Sequence, residues 1–126
     1  MKTVETKAFI MIIHDDLLIE FKVKKNVTLQ ASDVWESKRL SVDYIPGKKF
    51  FVLVEAEENT DLSGDARRAT ASAEYAEHVA ALAICTGKTH EHIIGSLFLK
   101  VNKPVVPAKF FNNRTEAIDW LMSHSL

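Results

Sequence analysis

The sequence contains almost no cysteine. Cys85 is the single cysteine among 126 residues, so neither an internal disulfide nor a cysteine-based metal cluster can form. It lies in the apolar run 80–85, where we expect a buried, unreactive thiol rather than a catalytic nucleophile.

An excess of charge of either sign is also missing. The chain has 16 basic and 17 acidic side chains, for a net charge of -1 at pH 7. Short basic clusters such as Lys48-Lys49 are typical of solvated surface. We therefore expect neither a nucleic acid nor a membrane surface as the partner of this protein.

Long hydrophobic runs are absent too. Residues 1–7 lack the apolar region of a signal peptide, and no stretch approaches the roughly 20 apolar residues of a membrane span. We therefore expect a cytoplasmic protein. The composition, 47% hydrophobic and 26% charged, is that of an ordinary globular protein, and the length suits one core. The sequence predicts a single domain over residues 1–126.

The usual catalytic motifs are missing as well. Gly87-Lys88-Thr89 resembles the end of a phosphate-binding loop, but Leu82 stands where that motif requires a glycine. His90 and His92 are two residues apart and would point away from each other on a helix, and the other histidines add no ligand spacing. No Gly-x-Ser-x-Gly elbow occurs. We expect no metal, no cofactor and no enzymatic activity.

Strand patterns recur along the chain. Residues 9–13 and 19–23 predict a hairpin joined through Asp15-Asp16. In its second strand, apolar residues alternate with charged ones, which predicts a solvent-exposed face that includes Glu20. Residues 50–54 are apolar throughout, as in a central strand covered on both sides. Further strands are predicted over 80–85 and 105–111. Because of Pro107, the latter is either an edge strand or has its proline at the strand start.

Helix signals alternate with these strands. They predict a helix from a Thr28 cap to about Leu40, an alanine-rich helix that begins near Gly64, an amphipathic helix over 93–101 and a last helix capped by Asn113. The predicted order is β-β-α-β-α-β-α-β-α. Such alternation is typical of an α/β fold with a mostly parallel, mixed sheet that is covered by helices.

The segment that follows the central strand is the strongest candidate for a functional site, because partners of open α/β sheets meet the carboxyl ends of strands. Ser63 has two open roles there. As a helix N-cap, its hydroxyl accepts a backbone hydrogen bond. As a phosphorylation site, it would carry a phosphate that is stabilised by the helix N-terminus and by Arg67 and Arg68, about one turn further along the chain. Asp61 and Asp65 would repel a phosphate at that place.

The whole pattern resembles the STAS superfamily, the fold of bacterial anti-sigma-factor antagonists, and most of all its small uncharacterised bacterial members. Residues 51–54 leading to 62–67 carry this resemblance. So do residues 108–111 leading to 115–121, with a Phe-x-x-x-x-x-Ala-x-x-Trp-Leu ending. The resemblance implies a STAS-like sandwich over nearly the full chain.

The phosphorylation motif of the family is altered in this sequence. STAS antagonists carry a phosphorylatable serine or threonine directly after an aspartate and shortly before a glycine. Here Leu62 separates Asp61 from Ser63, and Gly64 follows the serine at once. Ser63 therefore occupies the same place in the predicted topology as the phosphorylatable residue of STAS antagonists, but the residues around it do not match their motif.

The resemblance implies a non-enzymatic regulatory or protein-interaction module. Its partner would bind around Asp61, Ser63, Gly64, Arg67 and Arg68, and phosphorylation of Ser63 would be a subordinate switch. The alternative is a protein that binds a small apolar, lipid-type ligand, because STAS-like sheets resemble CRAL-TRIO proteins and the alanine-rich helix leaves room for a cavity beneath it. A homodimer is a further prediction, through the predicted edge strand and the last helix.

Overall fold

A computed structural model describes residues 1–57, 59–86 and 103–124. The helix predicted over 93–101 and the candidates at 87–92 lie outside these residues. None of the helices in the described ranges is long and apolar enough to cross a membrane. The described strands and helices are, in chain order, β1 (Lys2–Glu5), β2 (Phe9–Ile13), β3 (Leu18–Val23), β4 (Thr28–Leu29), α1 (Ala31–Tyr44), β5 (Phe50–Ala56), β6 (Asp61–Leu62), α2 (Gly64–Ala71), α3 (Ala73–Ala76), β7 (Val79–Thr86), β8 (Ala108–Phe111) and α4 (Arg114–Met122).

The main sheet has six strands in the order β1-β2-β3-β5-β7-β8. β2 and β3 form the predicted antiparallel hairpin, and β1 pairs antiparallel with β2. From β3 onward, every neighbouring pair in this sheet is parallel. β5 lies between β3 and β7, so the central position predicted for residues 50–54 is confirmed. The fold is mixed α/β with a largely parallel sheet, as the sequence predicts.

Apolar residues cover both faces of this sheet. Val52 lies opposite Ile19 and Leu82, and these side chains face α1, α2 and α3. The next residue, Leu53, belongs to a second apolar cluster with Leu121 of α4. Successive side chains of a strand point to opposite faces, so a strand that is apolar at every position serves both clusters. This is why β5 shows no polar alternation over its first five residues.

The start of α1 differs from the prediction. The N-cap is Gln30 rather than Thr28, and the helix runs to Tyr44, beyond the predicted end at Leu40. Thr28 is instead part of β4, which pairs in parallel with β6 in a separate two-stranded sheet. The Asp33 carboxylate accepts a hydrogen bond from the Gln30 N–H at 2.8 Å. Pairing with β6 therefore extends Thr28 and moves the cap two residues along the chain.

The alanine-rich segment is two helices rather than one. Ser72 is extended, with φ -78° and ψ 157°, and it separates α2 from α3. Its hydroxyl oxygen accepts a hydrogen bond from the Tyr75 N–H at 3.2 Å. The break turns α3 so that Tyr75 is buried against the sheet. Ala73 therefore does not continue the row that Ala66 and Ala69 form on α2.

The last helix and the edge strand agree with the predictions. β8 is at one edge of the main sheet, with Pro107 directly before it. Asn113 caps α4, and its side-chain oxygen accepts a hydrogen bond from the Glu116 N–H at 3.1 Å. Ala117 and Leu121 are fully buried on the inner side of this helix.

Candidate functional site

The loop after β5 leads directly into α2. The Ser63 N–H donates to the Leu29 carbonyl at 2.9 Å, and this bond ties the helix start to β4. The Ser63 hydroxyl oxygen accepts a hydrogen bond from the Ala66 N–H at 3.1 Å, which confirms the predicted N-cap role. Ser63 is half-buried, and Gly64 after it is exposed. The two predicted site residues thus lie at a fixed, solvent-accessible helix start.

Charged side chains surround this helix start. Arg68 forms an ion pair with Asp65 one turn earlier, and both side chains are largely exposed. The Arg67 Nε donates to the Leu62 carbonyl at 3.3 Å. Asp61 is also exposed, and its carboxylate accepts a hydrogen bond from the Leu62 N–H at 2.8 Å. We call the exposed surface made by Asp61, Ser63, Gly64, Arg67 and Arg68 the α2 surface.

α2 also borders a cavity, and Asp61 and Arg67 of the α2 surface are among its lining residues. A space of about 450 Å³ lies between the main sheet and the helices α1, α2 and α3. Its walls are mostly apolar, with Phe9 and Phe21 of the hairpin packed edge to face at 5.2 Å between ring centroids. Leu62 and Thr70 border the cavity from the α2 side. The cavity predicted beneath the alanine-rich helix is therefore present.

Tyr75 contributes a buried aromatic side chain with a hydroxyl group to the cavity wall. It is 5% exposed, and burial raises the pKa of its hydroxyl. A buried tyrosine usually places its hydroxyl against a hydrogen-bond partner. The Tyr75 hydroxyl is not one of the buried side-chain atoms that lack a hydrogen-bond partner among the described residues.

A charged cluster lies on the other face of the sheet. The Glu20 carboxylate accepts hydrogen bonds from Arg114, at 3.0 Å from Nη2 to Oε1 and 3.3 Å from Nε to Oε2. His14 Nε2 lies 2.8 Å from the same Oε1. The Arg114 Nε also contacts Glu55 Oε1, at 2.7 Å. We call the set of His14, Glu20, Glu55 and Arg114 the charged cluster.

The exposure predicted for Glu20 is wrong. The residue is 1% exposed, although it alternates with apolar residues in the pattern of a strand that has one solvent-exposed face. The start of α4 covers this position, and Arg114 reaches back from there to the carboxylate. A buried carboxylate needs such a charged partner, because an unpaired one costs several kcal/mol.

The two carboxyl groups of the charged cluster are shifted in opposite directions. Burial by itself raises the pKa of Glu20, but hydrogen bonds from Arg114, Glu55 and His14 outweigh it and lower this pKa to about 2. Burial and the neighbouring Glu20 raise the pKa of Glu55. Glu20 is therefore the more acidic of the two carboxyl groups in this cluster.

Cys85 lies beside this cluster, opposite Glu55 in the pairing of β5 with β7. Its thiol is partly exposed rather than fully buried, contrary to the prediction. It packs at the margin of the apolar cluster that includes Ala117 of α4, one residue before β7 ends at Thr86. Burial, together with the Glu55 charge, raises the pKa of the thiol. A raised pKa lowers the thiolate fraction, which agrees with the expected low reactivity.

Sequence reasoning missed the charged cluster and Tyr75. One signal was available: Arg114 occupies the first turn of a helix, where the helix dipole disfavours a cation. Such a residue is expected to have a partner elsewhere. In the part of the chain that the structure describes, no three His, Cys, Asp or Glu side chains are arranged to hold a metal ion.

Comparisons with known proteins agree with this fold. Residues 11–125 match the model of a family described as a domain of unknown function, DUF7793. The chain is similar to the crystal structure of an uncharacterized protein of the DUF3478 family with a SpoIIAA-like fold, from Shewanella loihica PV-4. The TM-score is 0.59 over 95% of this chain and 90% of that one, at 17% identity. None of the curated proteins matches. At this identity the similarity shows the fold alone.

Proposed function

The chain belongs to the DUF7793 family, and from this premise we propose that it is a non-enzymatic regulatory module that binds a protein partner at the α2 surface. One observation carries the proposal. Ser63 caps an exposed helix start at the carboxyl side of the central strand, where α/β sheets commonly meet their partners. The position of Ser63 supports the proposal, whereas the fold alone does not, since one fold supports many functions.

Charge supports an interaction role for this surface. Asp65 and Arg68 are exposed and of opposite sign, and Asp61 adds a further exposed carboxylate. Mixed exposed charges fix the orientation of a protein partner and contribute more to specificity than to affinity. We place this module in the cytoplasm, where a serine kinase could reach Ser63. Phosphorylation there would add charge between the two arginines and Asp61.

Affinity capture from the protein's own cells tests the proposal. We expect a stoichiometric protein partner with the wild-type chain, with phosphate on Ser63 in part of the bait. Ser63→Asp should change the amount of captured partner several-fold. Ser72→Ala is the matched control, because Ser72 is also a helix N-cap but belongs to α3. A wild-type bait that emerges alone would contradict partner binding, and equal capture by Ser63→Asp would contradict the switch.

A second candidate function is the binding of a small apolar ligand. The cavity of about 450 Å³ favours it, because small-molecule sites commonly measure roughly 300–1,000 Å³ and have mainly apolar walls. Native mass spectrometry of protein purified from its own cells tests this candidate. We expect a bound apolar molecule that is released on denaturation. A spectrum with the bare chain mass alone would contradict it.

In one version of the first proposal, the protein partner is a second copy of this chain. β8 forms an edge of the main sheet, and its outer side pairs with no other described strand. Exposed edges favour pairing between chains. Light scattering on the purified protein should then give twice the chain mass of 14.2 kDa. A monomer at high concentration would contradict this version.

A further inference from the structure

The cavity beside α2 is apolar where its lining is buried and charged where its lining reaches solvent. Val52 and Leu82 of the sheet are buried lining residues. The charged lining residues are Asp33, which is half-buried, and Asp61 and Arg67, which are exposed. A molecule inside the cavity would therefore lie mainly against apolar side chains, and charge would surround only its outer end.

The hydroxyl groups of the serine and threonines in the lining already have partners within the protein. Ser37, Thr60 and Thr70 each donate the hydroxyl proton to a backbone carbonyl three or four residues earlier, at 2.6, 3.0 and 2.9 Å. Thr86 is not without a partner either. A ligand that accepted a hydrogen bond from one of the first three hydroxyls would have to displace a bond that the protein already makes.

The charged lining residues are engaged as well. The Asp33 and Asp61 carboxylates each accept a hydrogen bond from a backbone N–H at 2.8 Å. The Arg67 Nε donates to the Leu62 carbonyl at 3.3 Å. These bonds leave two negative charges and one positive charge in the described lining. An anionic group on a ligand would therefore meet more repulsion than attraction there.

The lining contains no buried polar atom that needs a ligand as its partner. In the part of the chain that the structure describes, His78 Nδ1 is the only buried side-chain nitrogen or oxygen without a hydrogen-bond partner, and His78 does not line the cavity. The Tyr75 hydroxyl is not such an atom. A polar group on a ligand would lose its hydrogen bonds to water on entry and would find no unpaired group in exchange, which disfavours binding.

We propose that the cavity binds a neutral, hydrocarbon-like molecule that carries no polar head group. This inference rests on the second candidate function and narrows its ligand, because it excludes lipids whose carboxylate or phosphate would enter the cavity. Burial of apolar surface supplies the affinity, and the shape of the cavity supplies the selectivity.

Titration calorimetry with four probes that share a benzene ring and the same number of non-hydrogen atoms tests this proposal: propylbenzene, acetophenone, phenethyl alcohol and benzoate. We expect propylbenzene to bind most tightly. The ketone and the alcohol should bind about ten-fold or more weakly, because each has a polar group in place of apolar atoms. Benzoate should bind weakest. A ketone or alcohol that binds as tightly as propylbenzene would refute the proposed ligand class, and so would benzoate if it binds more tightly than acetophenone.

Two variants with phenylalanine locate the binding. Ala56→Phe places a ring in the cavity lining and should abolish binding of propylbenzene. Ala80→Phe is the matched control, because Ala80 packs on the other face of the sheet, and it should bind propylbenzene like the wild type. Circular dichroism establishes that both variants are folded. Unchanged binding by folded Ala56→Phe would show that the probe binds elsewhere and would overturn the proposal.

Thr70→Val tests whether a lining hydroxyl holds a head group. It removes a buried hydroxyl and keeps the shape of the side chain, so we expect the affinity of every probe to stay within about two-fold. A loss of affinity confined to the alcohol or the ketone would overturn the proposal. If no probe binds the wild type, both this inference and the ligand-binding candidate fail. If all three neutral probes bind equally well, the ligand-binding candidate stands and this inference fails.

Discussion

Arg114 binds Glu20 across 94 positions of the chain, at 3.0 Å between Nη2 and Oε1. The arginine is 49% exposed, whereas the glutamate is 1% exposed. This contact fixes the start of the last helix to a strand beside the centre of the sheet. The stability of that attachment therefore depends on a charge pair, and not on apolar packing alone.

Loss of the arginine should destabilise the protein. Arg114→Met leaves the buried Glu20 carboxylate without its cation. We expect the free energy of unfolding to fall by about 2 kcal/mol. This value already allows for the screening of Arg114 by solvent, because that side chain is half-exposed. Urea unfolding followed by tryptophan fluorescence measures it. Arg39→Met is the matched control, because Arg39 pairs with Asp43 on the surface and should cost under about 1 kcal/mol. Equal losses in the two variants would contradict the account.

Acid should remove the contribution of Glu20. The pKa of Glu20 is lowered from 4.5 to about 2 in the folded protein, so the folded state favours the charged form. Its contribution, about 3 kcal/mol at most, is complete above pH 4.5 and is lost as the pH falls to about 2. Unfolding curves of wild type and Glu20→Gln should differ at neutral pH and converge near pH 2. A constant difference at all pH values would show that the pair acts only through packing.

Glu55 should behave in the opposite way. Its pKa is raised, so the folded state disfavours its charged form, and its ionisation lowers stability as the pH rises through that pKa. Glu55→Gln keeps the shape and removes this charge. We expect its stability at neutral pH to equal or exceed that of the wild type. A loss as large as that of Glu20→Gln, in the same urea titration, would mean that the folded state favours the charged form of Glu55 as well.

The cap role of Ser63 is separable from its proposed switch role. Ser63→Ala removes the acceptor for the Ala66 N–H and should cost about 1 kcal/mol, whereas Ser63→Asp retains an N-cap and should cost less. Thermal unfolding gives both values. A stability of Ser63→Asp below that of Ser63→Ala would contradict the cap geometry and would confound the capture experiment.

Cys85 should react slowly with thiol reagents. Burial and the Glu55 charge raise its pKa, so the thiolate is scarce at neutral pH. We expect alkylation by iodoacetamide to be slower than for glutathione at pH 7 and faster in Glu55→Gln than in the wild type. Mass spectrometry follows the reaction. A wild-type rate above that of glutathione would refute the unreactive thiol.

The apolar patterns predicted the sheet because they depend on burial alone. The central strand and the hairpin are confirmed, and so is the Asn113 cap, since local hydrogen bonding determines it. Strands β4 and β6 were not predicted. Each has two residues, and neither shows a pattern without its partner.

The charged cluster could not be predicted for a related reason. Glu20 alternates with apolar residues just as an exposed residue would. Only the position of α4 reveals that this face is covered, and α4 lies at the far end of the chain. Tyr75 was missed because Ser72, through hydrogen bonds with Ala69 and Tyr75, breaks the helix inside a run of residues with helical spacing. The position of the α2 surface residues at a helix start was predictable, since they are close together in sequence.

The central claim is that the α2 surface binds a protein partner. The most direct test is the dissociation constant of the captured partner, measured by calorimetry for wild type, Arg68→Glu and Arg39→Glu. Both arginines are exposed and pair with an aspartate on their own helix, but only Arg68 lies on the α2 surface. The account predicts that Arg68→Glu weakens binding about ten-fold and that Arg39→Glu leaves it within about two-fold. Equal affinities of the two variants would contradict it.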